Sequence, residues 1–300
     1  MDAVTYVAAS QLKSAALVEA FNRGFTGYYL PLTQTMESLR VMTLANDIRL
    51  DHSLVALDAA GEPLGIALLG LRPPRGWVGG MGIAPEWRGQ GYGAAVMHEL
   101  IARCQAVGLS ELQLEVLEQN APARHLYTTL GFAETRPLRV FTGPLALFTA
   151  SPPPPVSAAH TIAPLDAAGA LAHFAPLHHV APPWQRDHPS LAHAADRLSA
   201  LGLWDGSALA AYLLYGSGGG GHSIQDAGSA AANPDERARQ IETLIRALVS
   251  GDASATIRAV NVPPGDALGD ALEALGCPIV LHQREMALAL AAISLSPPAG

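Results

Sequence analysis

The sequence is poor in the features that would mark a secreted, membrane or nucleic-acid-binding chain. It has two cysteines in 300 residues. Cys104 and Cys277 both sit in apolar patterns, so they read as small buried hydrophobes rather than a disulfide or a nucleophile. Charged residues make up only 15%, and acids outnumber bases 26 to 18 for a net charge of −8. A protein that wraps nucleic acid or an anionic membrane needs a basic face, so neither partner is expected. No apolar run approaches the roughly 18 residues of a membrane span. The N-terminus shows no basic stretch leading into an apolar one, and the expected location is the cytoplasm.

What is present is apolar and well punctuated. Hydrophobic residues make up 49%, alongside 29 glycines and 23 prolines. Such a length accommodates about two domains of roughly 150 residues. The proline run 152–155 cannot extend a helix or enter a central strand. It marks a linker at 151–155 between expected domains 1–150 and 156–300.

Ala16–Phe25 reads as a helix, and Thr33–Ala45 contains another. Leu54–Leu57 and Leu64–Leu71 flank the turn-rich spacer 58–63, which predicts an antiparallel hairpin. Trp77–Ile83 is a third strand, and a helix opens at Gly91 with Val96, Met97, Leu100, Ile101 and Cys104 on one stripe. Leu112, Leu114 and Val116 alternate as a strand. Asn120 then caps a helix that Gly131 stops, and a last strand follows Phe132. Beyond the linker, Ala208–Tyr215 and Ser223–Ala227 read as strands joined by a floppy glycine loop at 216–221. A helix over 234–249, a strand over 256–260, a helix over 266–275 and a strand after Cys277 complete that half. Laying Gly131-Phe132 on Gly276-Cys277, an offset of 145 residues, superposes helix on helix and strand on strand. The chain reads as a diverged tandem repeat.

The most informative segment is Ile83-Ala-Pro-Glu-Trp-Arg88-Gly89-Gln90-Gly91-Tyr92-Gly93-Ala94. A strand runs into a glycine-rich turn that opens a helix, so bare backbone N–H groups converge where the helix dipole favours an anion. The glycines let a phosphate approach the main chain. Gly89-x-Gly91-x-x-Ala94 also satisfies the dinucleotide fingerprint, with Glu111 and Glu115 about 20 residues on, which keeps a nicotinamide oxidoreductase as an alternative. That fingerprint belongs after the first strand of a parallel series, whereas here it follows an antiparallel hairpin.

Arg88-Gly-Gln-Gly-Tyr-Gly93 resembles the Arg/Gln-x-x-Gly-x-Gly/Ala signature of the GNAT N-acetyltransferases. Asn120-Ala-Pro-Ala123-Arg-His-Leu126-Tyr127-Thr-Thr-Leu-Gly131-Phe132 resembles the same family's closing motif. The resemblance implies an α/β (α+β) fold: two GNAT-like domains, each a mixed, splayed, mostly antiparallel sheet flanked by helices. It also implies acetyl-CoA as co-substrate, wedged between the strands Trp77–Ile83 and Leu112–Val116. Met81, Gly82 and Ile83 would pair with the pantetheine. The amides of Arg88, Gly89, Gln90, Gly91, Tyr92 and Gly93 would hold the pyrophosphate, and Asn120 and Tyr127 would border the cofactor. The glycines at 79, 80 and 82 fit a strand whose backbone something approaches closely.

An alkyl amine is neutral in only about 1 molecule in 2,500 at pH 7, a penalty near 4.6 kcal/mol, so transfer to an amine needs a base. Glu115 matches the strand glutamate that acts as base in the ribosomal-protein N-terminal acetyltransferases; the alternative is a solvent-facing strand residue. Tyr127 would protonate the departing thiolate, or serve only as a core aromatic.

In the second half, the offset puts Asp235 and Glu236 on Gln90 and Gly91, and Leu272 on Tyr127. Asn233, Pro234 and Glu236 form a capping box that consumes the helix-start donors. That half is expected to bind no CoA. The histidines 173, 178, 179, 188 and 193 follow no compact ligand pattern, so no metal is expected and the stretch reads as surface loop, with an acceptor-pocket lining as the minority alternative. The reading is an N-acyltransferase that moves acetyl to a small-molecule or peptide amine by direct attack in a ternary complex. A non-catalytic acetyl-CoA sensor is the alternative, and a monomer with an internal pseudo-dimer, or a homodimer, is expected.

Overall fold

The computed structural model describes residues 4–30, 32–144, 160–250 and 256–290. The expected proline linker lies outside the described residues. The chain folds as two compact units, Met1–Thr135 with Arg284–Gly300, and Arg136–Gln283.

The first unit runs β1 (Thr5–Ala8), α1 (Ser14–Gly24), α2 (Met36–Ala45), β2 (Leu54–Leu57), β3 (Pro63–Arg72) and β4 (Arg75–Ile83). It continues with α3 (Tyr92–Ala106), β5 (Glu111–Leu117) and α4 (Ala121–Thr129). Strands β1 to β4 pair antiparallel in sequence order. The β2–β3 turn forms because Asp58 Oδ1 accepts from the N–H groups of Ala60 and Glu62, both at 2.9 Å. Gly61 there takes a φ of 83° that a side chain would resist. Strand β3 is buried on both faces from Leu64 to Gly70, because α1 packs on one side and α3 on the other. Met97, Leu100 and Cys104 of α3 are fully buried in that core.

The second unit repeats the plan with β7 (His160–Asp166), α5 (Ala167–Leu171), α6 (Phe174–Leu177), α7 (His188–Ala194), β8 (Ser199–Asp205) and β9 (Ala208–Gly218). It closes with β10 (Gly221–Ser229), α8 (Pro234–Val249), β11 (Thr256–Val262) and α9 (Ala267–Ala274). The expected loop over 216–221 shrinks to a tight turn, with φ of 61° and 78° at Gly219 and Gly220. Strand pairing instead runs to Gly218↔Gly221. The histidine stretch, expected as surface loop, contains α6 and α7, whose Phe174, Leu177 and Leu191 enter a core with Tyr212.

The unit boundaries differ from the expected division of the chain. Strand β6 (Ala133–Pro144) leaves the first unit and pairs antiparallel with β11, from Arg139↔Val262 to Pro144↔Thr256. In turn, the end of β12 (Ile279–Ala289) belongs to the first unit, beside β5. Met286 and Leu290 sit in the first unit's core, and the Leu290 N–H donates to Ser110 O at 2.9 Å. Each repeat therefore delivers its last strand to the other. An antiparallel strand reads the same whichever sheet edge receives it, so its alternation does not name its partner.

Candidate active site

Strands β4 and β5 are parallel and start together, yet they pair only across Arg75↔Glu111, Gly76↔Leu112 and Trp77↔Gln113. The β3–β4 register then slips between Leu68 and Leu69, a bulge opposite Gly79. Bulges twist and redirect a strand, and this one carries β4 away from β5. The Trp77 ring lies across Gly79, where a Cβ would come within 2.6 Å of it. From this ring, Nε1 donates to Glu115 Oε2 at 2.7 Å, spanning the strands where they part.

The neighbouring glycines are explained by α1. A Cβ on Gly82 would meet the Gly24 backbone at 2.8 Å, and one on Gly80 would meet the Phe21 ring at 3.2 Å. The close approach expected at this strand is therefore made by the protein itself on that face. The edge of β4 beyond Trp77 is what the parting leaves open.

After β4 the chain turns through Pro85–Trp87 and reaches Gly89 and Gly91, with φ of 73° and 88°. Only glycine adopts this geometry freely. Gly91 is the N-cap of α3, no side chain caps the helix and no acid stands in its first turn. Its leading N–H groups thus have no intrahelical acceptor. The side chains of the loop face elsewhere. Arg88 donates from Nε to Ile83 O at 2.8 Å and from its guanidinium end to Gly24 O at 3.1 Å and Thr26 O at 2.7 Å. Gln90 donates to Glu86 O, and the Tyr92 ring is buried edge-on against Trp87. What the turn presents at the start of α3 is uncapped main chain.

A cavity of about 630 Å³ joins this turn to the open edge of β4. Met81, Gly82, Ile83, Arg88, Gly89, Gly91, Gly93 and Asn120 line it, as do Phe25, Tyr28, Tyr29 and His125. Asn120 Oδ1 caps α4 by accepting from the Ala123 N–H at 3.3 Å. Tyr127 lies outside the lining: it is 7% exposed, in the core beside Phe132. Burial, with Tyr28 nearby, pushes its phenol well above the usual tyrosine range. Sequence reasoning missed Tyr28. Its signal was the aromatic run Phe21, Phe25, Tyr28, Tyr29, which carries the helical stripe of α1 past the end of that helix.

Residues 14–132 match the acetyltransferase (GNAT) family. Over that segment the chain is similar to the family. The nicotinamide alternative falls with it, because the GNAT loop follows the fourth strand of an antiparallel series rather than the first of a parallel one. Solved structures extend the likeness over nearly the whole chain. A tandem GNAT protein from the clavulanic acid biosynthesis pathway is similar with a TM-score of 0.71 at 13% identity, over 96% of this chain and 99% of that one. A GCN5-related N-acetyltransferase from Sphaerobacter thermophilus gives 0.68 at 14% identity, over 97% and 98%. One from Kribbella flavida gives 0.60 at 17%, over 96% and 71%. No curated protein sequence matches the chain.

The second unit parts its parallel strands in the same way. The β10–β11 pairing runs from Gly221↔Thr256 to Ile224↔Ala259 and goes no further. Here the chain bridges the gap itself. Arg186 Nε donates to Gln225 O at 3.0 Å, and Asn261 Nδ2 donates to Gln185 Oε1 at 2.8 Å. The buried Asp226 carboxylate accepts from Tyr212 at 2.5 Å and faces His178 Nε2 at 3.1 Å and Arg186 at 3.4 Å. At the start of α8, Asn233 Oδ1 accepts from the N–H groups of Asp235 and Glu236 at 2.8 and 3.3 Å. The expected capping box is incomplete: Glu236 pairs with Arg239 at 2.7 Å, because the arginine one turn on outcompetes the N-cap amide.

Proposed function

We propose that the chain is an acetyl-CoA-dependent N-acyltransferase whose single cofactor site lies in the first unit. One observation carries this reading: the open edge of β4 and the uncapped start of α3 share a cavity. An extended thioester needs both features, main-chain partners for its pantetheine amides and N–H donors for its pyrophosphate. Each charge-assisted hydrogen bond at the helix start contributes about 1.5–3 kcal/mol. Met81, Gly82 and Ile83 would meet the pantetheine, and the amides of the 88–93 turn would meet the pyrophosphate.

The acceptor is a primary amine of a small molecule or peptide. It must be deprotonated before it can attack, and Glu115, steadied by Trp77 beside the parting strands, is the proposed base. Attack on the thioester carbon breaks the C–S bond and leaves the electron pair on sulfur. A thiol with a pKa near 8.5 leaves readily, so a hydrogen bond from a protonated phenol suffices. Tyr28, which lines the cavity, and Tyr127, buried with Tyr28 nearby, are the two phenols that could supply that bond.

Calorimetry with acetyl-CoA, followed by an amine panel monitored by release of free thiol, tests the reading. Binding in the low micromolar range with thiol release from at least one amine is expected. No binding would sink it, and binding without thiol release from any amine would leave the protein an acetyl-CoA sensor.

A further inference from the structure

We propose that Gln185 and Arg186 are a built-in ligand of the second unit. Their side chains fill the gap between β10 and β11 and hold the parted strands as a rigid, permanently occupied cleft. In the first unit the corresponding gap is a cavity.

The contacts fall where the first unit's cavity has its walls. In β10 the pairing with β9 slips between Ile224 and Asp226, so Gln225 is the extra residue of a bulge, as Gly79 is in β4. The Gln225 carbonyl is the one that Arg186 Nε bonds, at 3.0 Å. On the facing strand Asn261 takes a left-handed φ of 57°, and its side chain is clamped at both ends. Its Nδ2 donates to Gln185 Oε1 at 2.8 Å, and its Oδ1 accepts from Gln283 Nε2. The guanidinium end of Arg186 then reaches Asp266 at 3.2 Å. Asp266 caps α9 after β11 as Asn120, in the cavity wall, caps α4 after β5. Two side chains thus span both strands and the helix cap.

The segment that carries them is ordered in advance. Trp184 is buried, its carbonyl accepts from Ser190 Oγ at 2.8 Å, and Asp187 caps α7 through the His188 N–H at 2.8 Å. A tethered group loses its freedom on folding rather than on binding, so it outcompetes a free molecule that offers the same contacts. Nor can an anion take its place. Without Arg186 the Asp226 and Asp266 carboxylates, which it now pairs at 3.4 and 3.2 Å, would face the gap with one cation fewer. The two residues act as a strut and not as a gate.

Amide hydrogen exchange on the full chain without ligand, read residue by residue as protection factors, is the test. Gln185→Ala is expected to lower protection over residues 259–262 by about tenfold, as for loss of one side-chain hydrogen bond. Arg186→Lys keeps a cation beside Asp226 and Asp266 but lacks the Nε that bonds Gln225, so a similar fall is expected over 225–228. The buried amides of α8 over 241–249 should not change in either variant. No change at either strand, or an equal fall in α8, overturns the proposal, because the two residues would then hold nothing or would support the whole core. Acetyl-CoA added to the unsubstituted protein is expected to raise protection along 78–83 and to leave both second-unit strands as they were. Protection gained over 225–228 would mean that a free molecule displaces the two side chains, and overturns the proposal as well. Absence of any acetyl-CoA effect counts against the cofactor reading alone, since the variants are measured without ligand.

Discussion

Trp77 and Glu115 share a hydrogen bond of 2.7 Å at the point where β4 and β5 stop pairing. The indole proton orients a half-buried carboxylate where the two strands part. Glu115→Gln is expected to lower kcat by about a hundredfold and to erase the acid limb of the pH–rate profile, as for loss of a general base. Trp77→Phe removes the donor together with part of a buried ring, so a smaller loss of kcat, about several-fold, is expected alongside a lower melting temperature, with KM for acetyl-CoA unchanged. An intact acid limb in Glu115→Gln would leave Glu115 as a structural partner of Trp77.

Gly91→Asp is the clean probe of the anion site. A carboxylate about 5 Å from a phosphate adds roughly 3 kcal/mol of repulsion at an effective dielectric near 20, a loss of about a hundredfold or more in acetyl-CoA affinity. The left-handed φ of 88° adds a folding cost of about 1–2 kcal/mol. Gly93→Asp is less clean, since a Cβ there already meets Leu126 at 3.3 Å and Met81 at 3.4 Å. Calorimetry beside a thermal melt separates the two effects, and undiminished affinity in folded Gly91→Asp would exclude the pyrophosphate assignment.

Arg88 offers a contrasting outcome. Its guanidinium faces carbonyls of β4 and of the loop after α1, so Arg88→Met is expected to destabilise the first unit by about 1–3 kcal/mol. Acetyl-CoA affinity should fall less than tenfold, since the amides of the turn remain. Urea unfolding and calorimetry measure both. A stable variant that loses binding outright would mean that the side chain itself contacts phosphate.

One CoA per chain is the expected stoichiometry. Gln185 and Arg186 occupy the gap between β10 and β11, and Asp235 and Glu236 stand in the first turn of α8. Calorimetry on the full chain reads the count directly. A value of two would show that the bridge opens or that the acids do not repel.

The buried cluster of the second unit predicts a pH dependence of stability. Burial alone would lower the His178 pKa, but the Asp226 charge and hydrogen bond, the Phe174 carbonyl and Asp266 outweigh it and the net shift is upward. The stabilisation is therefore complete below the unfolded histidine value of about 6.5 and is lost as pH rises through the folded value. Arg186 faces the same carboxylate, and Tyr212, whose phenol burial and Asp226 push upward, donates to it and stays protonated over that window. The urea midpoint should decline above about pH 6.5, and His178→Gln should flatten that decline. Parallel curves for the two proteins would place the titration elsewhere.

Features that depend on near neighbours in the chain are legible in the amino-acid order alone. The glycines of the 88–93 turn announce a left-handed backbone at a helix start. Asn120 announces a cap, and the alternation of Leu112, Leu114 and Val116 announces a strand. Each is a constraint on φ and ψ, or on one face of one element, and is satisfied within a few residues. Tertiary structure decided everything that requires two distant segments to meet. The Gly79–Gly82 run was legible as a strand under close approach, but only packing shows that Gly24 and Phe21 do the approaching. Arg88 reads as a cofactor residue until its guanidinium is seen on the carbonyls of residues 24 and 26. Strands β6 and β12 carry ordinary alternating patterns, and neither records that it joins the other unit's sheet. Backbone hydrogen bonding is blind to side-chain identity, so only packing against the distant neighbour selects the edge on which each strand adds.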